Sequence, residues 1–345
     1  MHDNTEFMLR DDNDTADGHV EGTGTAISRF ERPLVTRRRS AGMLAATMLP
    51  PWTTRAAAGS MIGGPAIPEA SPAKSYPLYE EATASVLPPA GYPSRIALND
   101  SIVRLVRRGV LDRDKFLALR RQAGKTTDEF DDLLSEPSER PILLTRQNAG
   151  DYVNLLWPVG LANHIEGNAD SPLFTVRLPT FASTAGWTLG KKEEGSPYFN
   201  GFPIVRMTTT EEALAIQVAK SIFRPCCDNS TFYQDCNHGS ALFGLLQLGA
   251  SQGLGEADLY REALAFNSFW FPDYYVRTAL YFKIARKQAW NEVDPKEIMG
   301  KEFSALSSWQ RNVQPALVAI PNLIPSPEGG ANCGVSVHGA TLYRG

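Results

Sequence analysis

Seven prolines fall between residues 62 and 94: Pro65, Pro68, Pro72, Pro77, Pro88, Pro89 and Pro93. Proline fixes φ, lacks an N–H and clashes inside a helix, so this density disfavours regular helix and central strand alike. The segment 59–95 reads as an extended linker or a strap laid over a domain, with Tyr76, Tyr79 and Tyr92 available to pin it. It divides the chain of 345 residues into an N-terminal part, 1–58, and a body, 96–345, long enough to bury one substantial core.

In the body, helix-start and helix-stop signals recur at short intervals. Asn99-Asp100 precedes Ile102, Val103, Leu105 and Val106 and stops at Gly109; Asp112 precedes Phe116, Leu117 and Leu119 and stops at Gly124. Thr127 starts a third short helix, halted before Pro137. Ile142–Leu144 is a brief strand candidate. Thr145 opens a helix over Gln147–Leu156 that Pro158 is expected to kink or end. Thr208 with Glu211 has capping-box spacing, and Leu214, Val218 and Ile222 form one stripe after it. Further helices are expected over Ala257–Phe271, Asp273–Trp290 and from Asp294-Pro295 to Trp309. The stretch Ser171–Phe202 differs, with Gly186, Gly190, Gly195 and Gly201 and a β-prone Phe174–Leu178. It reads as a long irregular excursion with one hairpin, in which Trp187, Tyr198 and Phe199 cover something. The fold class is therefore mainly α, a multi-helix globular domain with a minor irregular or β excursion around 171–202.

Reactive side chains concentrate in Arg224–Gly239, which holds Cys226, Cys227, Cys236 and His238, three of the chain's four cysteines and one of its five histidines. Polar Asp235 to His238 followed by the apolar Ser240–Leu248 places a helix start there. A thiol at a helix start ionises more easily, because free N–H groups face it. Three chemistries fit. The first is a metal or redox centre with ligands from Cys226, Cys227, Cys236 and His238, joined from the tail by Cys333 and His338. Thiolate with imidazole suits zinc, copper or iron. Adjacent Cys226-Cys227 departs from the usual Cys-x2–4-Cys spacing, so one of the two is expected to ligate. The second is structural: Cys236 pairs with Cys226 or Cys227, the remaining cysteine pairs with Cys333, and the chain is a stapled binding or scaffold module without metal. The third is thiol catalysis, with Cys236 as nucleophile and His238 or His338 as base.

Other classes are disfavoured. The formal net charge is −4, and the only basic block is Arg37-Arg38-Arg39, so no electrostatic footprint for nucleic acid exists. No apolar run approaches the ~20 residues of a membrane-spanning helix. There is no glycine-rich phosphate loop, no Gly-x-Ser-x-Gly and no His-Glu-x-x-His. His164, near a helix end, reads as structural. The aromatic run from Phe266 to Phe282 reads as core packing. The expected partner is a metal ion or a small molecule.

Residues 1–32 are polar and acidic and read as disordered. Beyond them, Thr36-Arg-Arg-Arg-Ser40, the short apolar run Ala41–Leu49 and Arg55-Ala-Ala-Ala-Gly59 form a basic, apolar and small-residue succession. Residues 36–58 resemble a twin-arginine export signal, which implies export in the folded state to a periplasmic or extracellular location. The alternative is a basic tail on a cytoplasmic protein.

Overall fold

A computed structural model describes residues 76–325. The export-signal segment, residues 59–75 of the proline-rich segment, Cys333 and His338 lie outside the described residues. Within them the chain is mainly α, with fourteen α-helices and one two-stranded sheet.

Helix α1, Pro77–Val86, forms inside the proline-rich segment, against expectation. Its proline stands at the first helical position, where no N–H is needed, and the helix occupies the proline-free interval before Pro88. It packs along α10 (below). Strand β1, Tyr92–Asn99, follows. Then come α2 Ser101–Arg107, α3 Arg113–Gln122 and α4 Asp128–Ser135, the three expected short helices. The Asp112 cap is realised, its carboxylate accepting from the Lys115 N–H at 3.0 Å. Strand β2, Ser138–Leu144, pairs antiparallel with β1, Tyr92 opposite Leu144 and Asn99 opposite Ser138.

Helix α5, Ala149–Ala162, runs through Pro158 instead of ending there. A helix-interior proline costs about 3 kcal/mol or more. Nearly every residue on both sides of Pro158 is buried in the core, and that burial outweighs the cost. The excursion after it contains no strand. Phe174–Leu178 forms turns with Val176 fully exposed, and the sheet among the described residues is made of β1 and β2 alone. The excursion carries α6, Ala182–Ala185. Trp187 is core, not cover: it is fully buried, edge-on to Trp157 at 4.9 Å, and donates to the Val110 carbonyl at 2.8 Å.

Helix α7, Thr209–Ser221, begins with the expected capping box. Helix α8, Asn237–Ser251, is buried from Asn237 to Ala250, the mark of a central helix. Helix α9, Glu256–Trp270, braces β1: buried Glu262 accepts from Tyr92 Oη at 3.1 Å, Ser94 Oγ at 2.7 Å and the Arg95 N–H at 2.9 Å. Helix α10, Pro272–Tyr281, ends in a π-turn over Phe282–Arg286 that stops at left-handed Lys287, short of the expected Trp290. The expected helix to Trp309 is divided into α11 Pro295–Met299, α12 Lys301–Ser304 and α13 Leu306–Asn312, with extended backbone at Gly300 and Ala305; α14 is Gln314–Val318.

The core is organised on the crossing of α5 and α8. A Cβ at Gly160 would overlap the Ser240 carbonyl, and one at Gly244 would overlap the Leu156 carbonyl. Each helix therefore lies backbone-close against the other, which fixes where α8 begins. Gly160→Ala should destabilise the fold by about 3 kcal/mol, the upper range for overpacking, in chemical denaturation. Gly255→Ser, with nothing within 4 Å of its Cβ position, should stay within about 0.5 kcal/mol.

Candidate functional site

The loop between α7 and α8, residues 222–236, carries the cysteines and is pinned on three sides. Toward α7, the Thr231 N–H donates to Ile222 O at 2.9 Å and the Phe232 N–H to Ala219 O at 3.0 Å. Toward the C-terminal helices, the Phe223 N–H donates to Met299 O at 2.8 Å, the Leu306 N–H to Cys227 O at 3.2 Å and the Ser307 N–H to Asp228 Oδ1 at 2.8 Å. The break between α12 and α13 turns those last two donors toward the loop. Toward the excursion, the Ser183 N–H donates to Asp235 O at 3.1 Å.

Inside the loop lies Arg224, whose side chain is fully buried. All five of its N–H donors are used. Nε donates to Cys236 Sγ at 3.2 Å. Nη1 donates to Asn229 O at 2.9 Å and Ser230 O at 2.8 Å. Nη2 donates to Tyr233 O at 2.9 Å and Asp235 Oδ1 at 2.5 Å. Asn229 Nδ2 donates to the other Asp235 oxygen at 2.6 Å. The guanidinium thus shapes the loop from within, satisfying carbonyls that would otherwise be stranded.

Cys236 is the N-cap of α8. Its Sγ accepts from the Gly239 N–H at 3.3 Å, beside the bond from Arg224 Nε. Serine, threonine, aspartate and asparagine usually fill this position. The guanidinium also lies against the first turn of α8: a Cβ at Gly239 would stand 2.7 Å from Arg224 Cζ. A cation at a helix N-terminus is unfavourable. The Cys236 sulfur sits between these two positive groups and takes an N–H from each.

Three sulfurs meet here. Cys226 Sγ stands 3.5 Å from Cys236 Sγ and 4.0 Å from Cys227 Sγ, and all three lie within 4.8 Å of one another. A disulfide bond is about 2.05 Å, so these are thiols and the expected pairing of Cys236 with Cys226 or Cys227 is not formed. Both adjacent cysteines reach the cluster, where one was expected. The fixed turn at Arg224 and Pro225 aims their side chains to one side, which spacing along the chain does not reveal.

The thiols differ in acidity. Hydrogen bonds from Cys226 and Cys227, with the Arg224 charge, hold Cys236 well below the usual thiol range against the opposing effect of burial. For Cys227 the bond with Cys226 lowers the value, but donation to Cys236 and burial outweigh it and push it up. Burial alone would weaken the charge on Arg224, but Cys236, Cys227, Cys226 and Asp235 keep it a cation. Asp235 sits above the usual carboxylate range because burial outweighs the pull of Arg224. A buried cation therefore faces the Cys236 sulfur and favours its ionised form, while the Cys227 thiol is pushed the other way.

His238, on the first turn of α8, is not a member of the three-sulfur group. Its ring packs against Phe271 at 4.5 Å and Trp270 at 5.9 Å between centroids. Its Nδ1 is buried with no hydrogen-bond partner. The aromatic run is otherwise core, with Phe266, Tyr275 and Phe282 fully buried. His164 is exposed and its Nδ1 lies 3.1 Å from Asn200 O, away from the cluster's hydrogen-bond network. Cys333 and His338 are outside the described residues.

Sequence reasoning overlooked Arg224, Asn229 and Asp235 as site residues. One signal was present: Arg224 is the only arginine between Arg206 and Arg261, and it directly precedes Pro-Cys-Cys.

Burial draws His238 down to about 4 from an ordinary 6.5; Cys236 opposes this and Arg224 adds to it. Between those values the unfolded chain binds a proton that the folded chain excludes. Stability should therefore fall as pH drops from about 6.5 to about 4, by up to about 3 kcal/mol, and this contribution should level off below. His238→Phe should remove that part of the slope in urea denaturation of metal-free protein across this range. Comparison with protein-family models, with curated proteins and with solved structures finds no match to this chain, so its chemistry is read from this geometry alone.

Proposed function

We propose that Cys226, Cys227 and Cys236 hold one thiophilic transition-metal ion and that the chain is an exported metal centre. The observation that carries this is the approach of three sulfurs to within 4.8 Å of one another with no disulfide between them. Four-coordinate zinc with Zn–S of about 2.3 Å spaces its sulfurs about 3.8 Å apart, and the two closest separations, 3.5 Å and 4.0 Å, bracket that value. Two of the three sulfur separations thus suit thiolates around one such ion. Three thiolates are a soft set, favouring zinc or Cu(I) over hard cations, with iron the third candidate. Arg224 contributes one positive charge beside the sulfurs, offsetting part of their mutual repulsion once all are ionised. The Arg224 and Gly239 bonds to Cys236 supply the outer support that orients a ligand.

A second reading has its own observation. Two N–H donors on the Cys236 sulfur stabilise a thiolate and so a nucleophile. The base assigned to His238 in that reading has no support in hydrogen bonding, since its Nδ1 has no partner.

Metal analysis of purified protein should find one ion per chain. Cys236→Ser should weaken its binding by more than about 100-fold, since outer partners alone are worth 10–100-fold. Metal-free protein with three accessible thiols and no spectral change on adding Co(II) or Cu(I) would end the reading. Export rests on residues 36–58. Cell fractionation should find a shortened chain outside the cytoplasm, and Arg38→Lys with Arg39→Lys should retain full-length chain inside; unprocessed cytoplasmic parent protein would reject export while leaving the metal reading intact.

A further inference from the structure

We infer that Cys226 and Cys236 form a two-electron disulfide couple that oxidises thiol substrates, with Arg224 and Gly239 receiving the departing Cys236 sulfur. The inference uses the same residues as the metal reading but does not depend on it, because it concerns the protein without metal.

Three observations carry it. The two sulfurs are 3.5 Å apart, so a bond between them requires only a small approach. Their exposure differs: Cys226 is partly exposed and Cys236 is buried at 8 %, so a substrate reaches Cys226. Finally, the reduced Cys236 sulfur accepts N–H bonds from Arg224 Nε and the Gly239 amide. Sulfur within a disulfide carries no charge and is a weak acceptor. Closing the disulfide would leave the buried Arg224 Nε–H, against the N-terminus of α8, with an uncharged and weaker acceptor, while Asp235 stays paired with Nη2. The environment therefore favours the reduced form over the disulfide. A couple whose reduced form is stabilised is a strong oxidant.

A substrate thiolate attacks Cys226 Sγ. The bond between Cys226 and Cys236 breaks, and its electron pair leaves on Cys236 as a thiolate received by the two N–H donors. A second substrate thiolate then attacks the substrate sulfur of the mixed disulfide and releases Cys226, which takes up a proton. Two substrate thiols become one disulfide, the protein disulfide becomes one thiol and one thiolate, and one proton passes to solvent. Loading runs the same steps in reverse with a low-molecular-weight disulfide. Cys227, 4.0 Å from Cys226, is not required.

The test uses the full chain with Cys227→Ser and Cys333→Ser, stripped of metal by a chelator and equilibrated with glutathione and glutathione disulfide. Acid quenching and peptide mass mapping should show a Cys226–Cys236 disulfide that glutathione reduces at ratios where structural disulfides stay closed. Gly239→Ala sets one methyl 2.7 Å from the Arg224 Cζ and Nε positions, so the guanidinium must shift away from the sulfur. It should shift the equilibrium about tenfold toward the disulfide, about 30 mV for a two-electron couple. A dithiol peptide should be oxidised faster than glutathione if protein thiols are the substrates, and glutathione faster if small thiols are. A mixed disulfide on Cys226 with no internal bond would overturn the inference. So would a disulfide that excess glutathione leaves closed, a folded Gly239→Ala chain with an unchanged constant, or oxidation of neither substrate. Failure to bind metal would end only the metal reading.

Discussion

The contact between the Arg224 guanidinium and the Cys236 sulfur is the constraint on which the site depends. A fully buried arginine is costly unless every donor is used and its charge is met. Here the donors close on three loop carbonyls, one carboxylate and one thiol sulfur. The same guanidinium presses on the first turn of α8, where the helix dipole repels it. An anion between them resolves the conflict, and Cys236 is the side chain placed there. The lowered pKa of that thiol is thus a structural requirement as much as a chemical endowment.

That contact is held in register by parts of the chain far from it. The close crossing of α5 and α8 sets the position of the α8 N-terminus, since neither Gly160 nor Gly244 has room for a side chain. The break between α12 and α13 supplies backbone donors to Cys227 and Asp228. The excursion lends an amide to Asp235 and a ring, Phe181, edge-on to Tyr233 at 5.8 Å. The loop has little regular structure, yet its backbone is tied to three neighbouring elements. Such a loop can hold three sulfurs together without a bond between them.

Much of this was legible residue by residue. Thr208 with Glu211 and Asp112 with Lys115 became the caps their spacing indicates, because such bonds close within four residues and need no tertiary partner. The beginning of α8 at the cysteines was legible for the same reason. Pro158 and Phe174–Leu178 misled because both outcomes depend on distant groups. A helix survives a proline when both its halves are buried, and a β-prone segment stays unpaired when the fold brings no strand alongside it. The twin cysteines misled differently: neighbouring side chains usually diverge, and the turn that aligns them is held by Arg224, a residue that local pattern treats as the end of a helix.

By itself, the order of residues determined a mostly helical body with its thiols gathered near one helix start, because capping and hydrophobic period act over a single turn of chain. Only the tertiary structure decided that Arg224 lies beneath those thiols, that Cys226 and Cys227 both join Cys236, and that His238 turns instead toward Trp270 and Phe271. Those outcomes depend on which groups are removed from water together. Burial of a charge is a property of the packed whole, set by helices α7, α8, α11 and α13 meeting around one loop.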